Sequence, residues 1–377
     1  MKQVKPFNIV FCIDDNFAVH LAALLRSIVI NTDPQNTFCF HVCSAELSAQ
    51  NQHRLNQAAG EAHTINYYEI DSQRFDNMPV SRFFANRMST VTYFRLLVPE
   101  LLHSVNGLAL FMDADMIVNA DIADLFSVNL SNAVAGVVED SSIIETDYWR
   151  ELGLPLNRYF NAGLMLIDLF AWRQNGITNA AMEMIDSGKT YKFNDQDILN
   201  LALKNQVEFL DLGWNVQQAS LQKLKWANNA KVIHYNGAEK PWQFSCIHPF
   251  TELYRRFKAQ TCYAETPLIH FIDEHDRQLI DLIVQSKTSD VYIYGAGQKG
   301  RRIVCYLQTN LPAVNISGLI DRSPKMNAFN GIPVASVIPQ SDEARIVVAS
   351  SAYAEEIVRQ LQQKQVPADS IIAVVDE

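Results

Sequence analysis

The chain has 377 residues, more than one domain usually holds, so two domains are expected. Apolar residues make up 48% of the sequence and charged residues 19%, which is typical of a globular protein with a sizeable core. The formal net charge of −10 disfavours a nucleic-acid-binding protein, which needs a basic face, and also purely electrostatic binding to an anionic membrane.

The cysteines and the apolar runs indicate the compartment. Six cysteines are scattered along the chain and form no C-x-x-C pair. Buried free thiols are therefore favoured over disulfides or a zinc site, which fits a reducing compartment. Aspartates interrupt the first apolar run too early for a secretory signal, and no apolar run approaches the ~20 residues of a membrane span. The sequence therefore predicts a cytoplasmic protein.

The first seventy residues alternate between predicted strands and helices. In chain order these are a strand at 8–13, a helix at 17–30, a strand at 37–43, a helix at 48–59 and a strand at 64–70. Asn16 can cap the first helix, and Asp14 and Asp15 stand at the end of the first strand. The β-α-β-α-β order is typical of an open parallel sheet, which binds ligands outside the carboxyl ends of its strands.

A second acidic pair follows the short apolar run at 108–112. Asp113 and Asp115 are separated only by Ala114, and the run before them predicts a buried strand. Carboxylates are costly to bury unless they are paired or bound to a metal ion. Two of them at a strand end indicate a hard cation with a phosphate-bearing ligand, and a solvated turn with a helix cap is the alternative. Because Asp14 also follows a strand, both acidic pairs are expected to face one crevice.

Further candidate residues lie between 89 and 242. Arg95 falls in a helix predicted over 89–97, and a strand predicted over 133–138 ends in two acidic residues. In the helix that starts near residue 194, Asp197 is expected to be only a partner of the helix dipole. His234 ends a predicted strand, and two aspartates with a histidine suit Mn²⁺ better than Ca²⁺. An ordinary buried histidine is the alternative for His234.

After Pro249 the pattern changes. A charged helical connector is predicted over 251–288, followed by a smaller α/β unit over 289–377. In that unit a strand leads into the G-x-G-x-x-G loop at 295–300, a helix follows, and Asp321 stands near the position of a ribose-binding acid. The pattern predicts a Rossmann-like half-domain. Phosphate binding at the helix N-terminus and a dimerisation or scaffold role are both open.

Residues 7–242 closely resemble the retaining glycosyltransferases of family 8, the bacterial lipopolysaccharide and lipooligosaccharide α-galactosyl- and α-glucosyltransferases. The resemblance rests on six blocks in the family's order and near-family spacing: IVFCIDDNFA, TYFRL, LFMDAD, YFNAGLMLID, NDQDILN and IHYNGAEKPW. It implies an α/β GT-A fold over 1–250, a UDP-hexose donor (UDP-galactose or UDP-glucose), and Mn²⁺ as cofactor, with Mg²⁺ as the alternative.

The resemblance also implies roles for individual residues. The metal ligands are Asp113, Asp115 and His234. The donor nucleotide is contacted by Ile13, Asp14 and Asn16, with Ala114 beside them, and the diphosphate by Gly237 and Lys240. The residues around the donor sugar are Arg95, Asp140, Asn161, Ala162, Gly163, Asp195 and Gln196. Asp140, Asp195 and Gln196 are the catalytic candidates, and Glu139 competes with Asp140 for one sugar-binding position. Because no well-placed nucleophile is evident, front-face attack is favoured over a covalent intermediate.

The acceptor is the least specified part. An oligosaccharide or a lipid-linked glycan is expected, selected by the segments at 71–87 and 141–157. Lipid-linked acceptors would place the protein at the inner face of the cytoplasmic membrane as a peripheral protein, and a homodimer is compatible with the sequence. The alternative functions are a UDP-sugar-binding protein without turnover and an NAD-linked sugar-modifying enzyme that uses the C-terminal glycine loop.

Overall fold

The computed structural model describes residues 6–71, 90–155, 158–218, 229–337 and 344–375. Most of the predicted acceptor segment at 71–87 lies outside these residues. The chain divides into two compact units, one of Met1–Ala238 with Pro249–Thr266 and the other of Glu239–His248 with Pro267–Glu377. The segment predicted as a connector, 251–288, is thus divided between the units. Among the described residues, no helix combines the length and the apolar character that a membrane span requires.

The first unit is built on a central sheet. Its described strands are β1 (Phe7–Cys12), β2 (Phe38–Ser44), β3 (Thr64–Glu69), β4 (Leu108–Met112), β5 (Met116–Val118), β6 (Ala135–Glu139), β7 (Phe160–Asp168), β8 (Val207–Phe209), β9 (Val216–Gln217) and β10 (Val232–His234). Seven of them form a sheet in the order β3-β2-β1-β4-β7-β6-β8. β1 pairs in parallel with both β2 and β4, and β2 with β3, so the predicted parallel arrangement is confirmed. β7 runs antiparallel to β4 and β6, which makes the complete sheet mixed.

The described helices of this unit connect the strands. They are α1 (Ala18–Asn31), α2 (Ala49–Ala59), α3 (Val98–Leu101), α4 (Ser141–Ile144), α5 (Tyr148–Glu151), α6 (Leu169–Gln174), α7 (Ile177–Asp186), α8 (Asn194–Ala202) and α9 (Thr251–Lys258). The predicted helix at 89–97 is a 3-10 helix, Thr90–Leu97. The predicted cap Asn16 is wrong: it lies inside a 3-10 turn, and Asp14, whose backbone is extended, accepts from the Phe17 N–H at 3.0 Å instead.

Alternation along the strands builds an apolar layer on each side of the sheet. Ile9 and Phe11 of β1 belong to one buried cluster, and Val10 between them belongs to the other. Successive side chains of a strand point to opposite sides, so a strand buried on both sides is apolar throughout. Burial of each large apolar side chain stabilises the fold by roughly 1.5–3 kcal/mol. This packing on both faces stabilises the central sheet, and the parallel strands β1 and β4 end at the same edge of it.

A small second sheet brings a distant segment to that edge. β10 lies between β5, to which it is antiparallel, and β9, to which it is parallel. The register pairs His234 with Met116, and the Tyr235 N–H donates to the Asp115 carbonyl oxygen at 2.9 Å. His234 is therefore held beside Asp115 by backbone pairing, although the two residues are far apart in sequence.

The second unit has its own sheet and core. Its described elements are α10 (Glu274–Ser286), β11 (Asp290–Tyr294), α11 (Gln298–Asn310), β12 (Asn315–Ile320), β13 (Ala328–Phe329), β14 (Ile332–Ala335), β15 (Arg345–Val348), α12 (Ala354–Gln363) and β16 (Ile371–Ile372). The strand order is β13-β14-β12-β11-β15-β16, and only β13 is antiparallel to its neighbour among these described strands.

The glycine loop of this unit joins β11 to α11, in the context that the sequence predicts. Gly295 has φ +111°, which a residue with a side chain rarely adopts, and a Cβ on Gly300 would lie 1.7 Å from the Gly295 carbonyl oxygen. Asp321 follows β12, and its Oδ2 accepts from the Ala296 N–H at 3.0 Å. The carboxylate predicted to bind a ribose thus stabilises the loop itself, and a ligand for the loop stays a prediction.

Candidate active site

The predicted metal ligands lie together at the carboxyl edge of the central sheet. Nε2 of His234 is 3.2 Å from Oδ1 of Asp115 and 3.8 Å from Oδ2 of Asp113. One ligand atom from each of the three residues lies within 4.8 Å of the others. The His234 side chain is buried, whereas 26% of the Asp113 side chain is exposed. Two carboxylates and an imidazole that converge on one partly open point are a suitable ligand set for a divalent transition metal.

Gly163 of β7 permits this close approach. Its carbonyl oxygen accepts from the Asp113 N–H at 2.8 Å. A Cβ at this position would lie 2.4 Å from Cε1 of His234 and 2.7 Å from Oδ2 of Asp113. Neither neighbour is the flexible end of a long side chain. Only glycine therefore fits at this position of β7, beside the ligand cluster.

Arg95 connects this cluster to α8. Its Nη2 lies 3.0 Å from Oδ1 of Asp113, its Nε lies 3.0 Å from Oδ2 of Asp195, and its Nη1 donates to the Ala162 carbonyl oxygen at 2.8 Å. Burial alone would lower the pKa of Arg95, but the charges of Asp113 and Asp195 outweigh burial and raise it. The guanidinium therefore stays charged and holds both carboxylates in place.

Asp195 is a site carboxylate whose pKa is raised. It lies in the first turn of α8 and its side chain is almost completely buried. Burial raises its pKa to about 6, the positive charge of Arg95 opposes the rise, and the negative charge of Asp113 adds to it. A carboxyl that changes protonation near neutral pH is a common feature of functional sites.

The residues predicted to surround the donor sugar form one hydrogen-bonded network. Nδ2 of Asn161 donates to Oδ2 of Asp140 at 3.2 Å and to Oε1 of Gln196 at 3.1 Å. Nε2 of Gln196 donates to the same Asp140 oxygen at 3.1 Å, and the Ala162 N–H donates to Oε1 of Gln196 at 3.1 Å. The other oxygen of Asp140 accepts from the Ser142 N–H at the start of α4. Asp140, not Glu139, is thus the acidic residue of this network.

The predicted role of Asp197 as only a helix-dipole partner is wrong. Asp197 is completely buried and accepts three hydrogen bonds, from the hydroxyls of Tyr148 and Tyr159, each at 2.6 Å, and from the Phe193 N–H at 2.9 Å. The Tyr159 hydroxyl in turn accepts from Nε2 of Gln196 at 3.2 Å. A buried carboxylate must be paired or hydrogen-bonded, and these three donors satisfy Asp197. Through Tyr159, Asp197 also helps to hold Gln196 in place.

Sequence reasoning missed Asn215. This completely buried residue precedes β9; its Oδ1 lies 3.0 Å from Nδ1 of His234, and its Nδ2 donates to Oδ1 of Asn161 at 3.0 Å. The available signal was a lone amide between Trp214 and Val216, which does not differ from a turn residue.

The residues predicted to contact the nucleotide lie at the ends of β1 and β10. β1 and β4 are parallel neighbours, so Ile13, Asp14 and Asn16 follow a strand end at the same sheet edge as Asp113 and Ala114. Ile13 is buried, and Asn16 is exposed. Gly237 follows β10, and a Cβ there would collide with the Gln218 side chain.

Lys240 belongs to the second unit. Its N–H donates to Oε1 of Gln243 at 3.3 Å, and its Nζ lies 5.8 Å from the centre of the Trp242 ring.

A second acidic group, Asp273, His275 and Asp276, lies in the second unit. Cations already engage its carboxylates, because Lys299 Nζ lies 2.9 Å from Asp273, and Arg302 Nη2 lies 2.7 Å from Asp273 and 2.6 Å from Asp276. This group is an ion-paired network that caps α10, and it does not suit a metal ion.

Known proteins resemble this chain in sequence and in fold. A family model described as Glycosyl transferase family 8 matches residues 8–246. The lipopolysaccharide 1,3-galactosyltransferase of Salmonella typhimurium is 27% identical over 290 residues, which cover 72% of this chain and 84% of that protein. The lipopolysaccharide 1,2-glucosyltransferase of Escherichia coli is 28% identical over 271 residues, covering 66% of this chain and 76% of that protein. General stress protein A of Bacillus subtilis is 26% identical over 281 residues, which cover 69% of this chain and 96% of that protein.

Solved structures show the same fold. The galactosyltransferase LgtC, in complex with donor and acceptor sugar analogues, is 24% identical, with a TM-score of 0.60 over 72% of this chain and 99% of that chain. The apo form of the glycosyltransferase GlyE of Streptococcus pneumoniae is 14% identical, with a TM-score of 0.52 over 95% of this chain and 99% of that chain. At these identities the likeness shows the fold alone, and it confirms the expected α/β fold of the GT-A type.

Proposed function

The chain belongs to glycosyl transferase family 8, whose model matches residues 8–246, and we propose that it is a metal-dependent, retaining hexosyltransferase that moves galactose or glucose from a UDP-sugar to a saccharide acceptor. The observation that carries this proposal is the convergence of Asp113, Asp115 and His234 at the carboxyl edge of the sheet. The Arg95–Asp195 ion pair and the Asn161–Gln196 network adjoin that cluster.

The ligand cluster fits Mn²⁺, with Mg²⁺ as the alternative. Asp113, Asp115 and His234 would hold the ion, and the imidazole favours Mn²⁺ over a cation that prefers oxygen alone. When bound, such an ion supplies positive charge that neutralises the departing diphosphate.

The donor sugar is held by groups whose orientation the network fixes. Gln196 is bound by Asn161, Ala162, Asp140 and Tyr159, so its amide cannot rotate freely. Arg95 holds one oxygen of Asp195, and the carboxyl binds sugar hydroxyls. Orientation before reaction is the main contribution that such residues make to the rate.

The same contacts favour front-face attack over a covalent intermediate. Both oxygens of Asp140 accept hydrogen bonds within the network, and the amide of Gln196 is a poor nucleophile. Retaining glycosidases, by contrast, use an available carboxylate as the nucleophile. In the proposed step the acceptor hydroxyl attacks C1 from the side that the diphosphate leaves. A diphosphate oxygen takes the acceptor's proton, and the α-configuration is retained.

The relatives support a surface-glycan acceptor. Two of them are named as lipopolysaccharide 1,3-galactosyl- and 1,2-glucosyltransferases. We therefore propose an oligosaccharide of the lipopolysaccharide core, free or lipid-linked, as the acceptor. Synthesis of such a glycan would place the protein peripherally at the inner face of the cytoplasmic membrane.

The test is UDP release from UDP-galactose and UDP-glucose with a core oligosaccharide, first with Mn²⁺ and then with excess EDTA. The proposal predicts turnover that EDTA abolishes, a product with an α-linkage, and no glycosylated protein by mass spectrometry. Binding of a UDP-sugar without turnover of any donor would indicate a binding protein instead. A glycosyl group trapped on Asp140 or Asp195 would refute front-face attack.

A further inference from the structure

A continuous chain of hydrogen bonds runs from the backbone of β7 to the histidine of the metal cluster. The Gly163 N–H donates to Oδ1 of Asn161 at 3.1 Å. The same oxygen accepts from Nδ2 of Asn215 at 3.0 Å, and Oδ1 of Asn215 lies 3.0 Å from Nδ1 of His234. All four residues are buried, so this chain of contacts is closed to solvent.

The first link has a fixed direction. A backbone N–H can only donate, so the Asn161 atom that faces Gly163 must be the oxygen. On its other side Asn161 faces the Asp140 carboxylate, which can only accept, so that atom must be the NH₂ group. Two neighbours of opposite kind thus determine the orientation of the Asn161 amide without reference to His234.

The orientation of Asn161 in turn determines which ring nitrogen of His234 carries a proton. Because Asn161 presents an oxygen, the Asn215 atom opposite it must be the NH₂ group. The oxygen of Asn215 therefore faces Nδ1 of His234, and this ring nitrogen must carry the proton. Nε2 is the ring nitrogen that faces Asp113 and Asp115, and it is the atom that a metal ion would bind there. In the tautomer that carries its proton only on Nε2, Nδ1 would face the Asn215 oxygen without a hydrogen bond.

We propose that Asn215 is a positioning residue that holds His234 in the Nδ1-protonated tautomer and couples this ligand to the sugar-facing Asn161. The metal-binding part of this inference rests on the proposed function. Hydrogen-bond partners of metal-ligating histidines fix the tautomer and the ring orientation, and their loss costs typically 10–100-fold in metal affinity or activity. Asn215 also gives the ligand cluster and the sugar network a shared side chain.

Two substitutions separate the two hydrogen bonds of Asn215. Asn215→Asp keeps an acceptor for Nδ1–H of His234 but removes the donor to Asn161. Asn215→Leu removes both interactions at similar volume. Asn31→Leu is the matched control, because Asn31 is a half-buried amide that donates to the carbonyl oxygens of Ser27 and Val118 in the same unit.

The first measurement is whether Nδ1 of His234 carries a proton in the metal-free protein, from ¹⁵N chemical shifts. Wild type, Asn215→Asp and Asn31→Leu are expected to show Nδ1–H, and Asn215→Leu a mixture of both tautomers. An Nδ1 atom without a proton in the wild type would overturn the inference, even if the protein proved not to be a transferase.

The second measurement is Mn²⁺ affinity, from the EPR signal of the free ion. Asn215→Leu is expected to bind Mn²⁺ about 10–100-fold more weakly, whereas Asn215→Asp stays within about threefold of wild type. With the UDP-sugar, Asn215→Asp should instead raise KM, since its orienting contact with Asn161 is lost. A folded Asn215→Leu protein with wild-type Mn²⁺ affinity would refute the inference, as would equal losses in both Asn215 variants. Failure of the wild type to bind Mn²⁺ would refute the metal-dependent function instead.

Discussion

Replacement of Arg95 tests whether the site is held together by one buried cation. In Arg95→Met the aliphatic part of the side chain is kept, and the ion pairs with Asp113 and Asp195 and the donation to Ala162 are lost. Asp195 would then be buried without a positive neighbour. Removal of one partner of a buried ion pair costs about 3–5 kcal/mol, because the remaining charge is left uncompensated. The Asp113 side chain is 26% exposed and can regain water, so we expect about 3–4 kcal/mol at pH 8.

This loss should depend on pH in a defined direction. The pKa of Asp195 is about 6 in the folded protein and higher than in the unfolded chain. A carboxyl of this kind stabilises the fold when protonated, and that stabilisation is lost as the pH rises through the folded value. Without Arg95 the folded pKa rises further. The stability difference between wild type and Arg95→Met should therefore be smaller at pH 5 than at pH 8.

Amide hydrogen exchange in β4 and β7 is the assay, because it measures the free energy of opening of the first unit alone. Arg150→Met is the matched control: its partner Asp147 lies 3.4 Å away, both side chains are more than half exposed, and loss of such a pair costs at most about 0.5 kcal/mol. An Arg95→Met loss no larger than that of Arg150→Met, or one that does not change with pH, would refute the reasoning.

Three further predictions concern single side chains. In wild type, kcat/KM should fall as the pH is lowered through about 6, where Asp195 takes up a proton, and Asp195→Asn should lack this transition; an unchanged acid limb in the variant assigns it to another group. Gly163→Ala should weaken Mn²⁺ binding about 10-fold or more in an EPR titration, because its Cβ would meet His234 and Asp113; wild-type affinity would contradict the close packing. Arg301→Met should destabilise the second unit by about 3–5 kcal/mol, measured by hydrogen exchange in β11 and α11, because the buried Glu239 loses its ion pair. The exposed pair of Arg322 and Glu356 gives the control Arg322→Met, with about 0–0.5 kcal/mol, and equal losses in both variants would contradict the prediction.

The parts of the fold that the sequence predicted are those with strong local patterns. β1, β2 and β3 pair in parallel, which confirms the arrangement that the alternating strands and helices of the first seventy residues predicted. The direction of β7 was not predictable, because a strand buried on both sides has the same apolar composition in either direction. Its pairing with β4 depends on contacts between segments that are distant in sequence.

The site was predictable where a carboxylate interrupts an apolar strand end. Asp113 and Asp115 stand out for this reason, and the register of β10 against β5 brings His234 to them. Asn215 and Asp197 were missed or misread because their roles come from burial and from partners on other elements. An uncharged amide gives no sequence signal, and a carboxylate in the first turn of a helix already has an ordinary explanation.

The most direct test of the central claim is the rate of UDP release by Asp115→Asn with Mn²⁺, a UDP-hexose and a core oligosaccharide. Asp147→Asn, which changes a largely exposed carboxylate of the same unit, is the control. We predict that Asp115→Asn keeps the hydrogen exchange pattern of the fold and loses at least about 100-fold in Mn²⁺-dependent transfer, whereas Asp147→Asn retains it. A folded Asp115→Asn protein that transfers sugar at the wild-type rate would contradict the assignment of Asp113, Asp115 and His234 as the metal site.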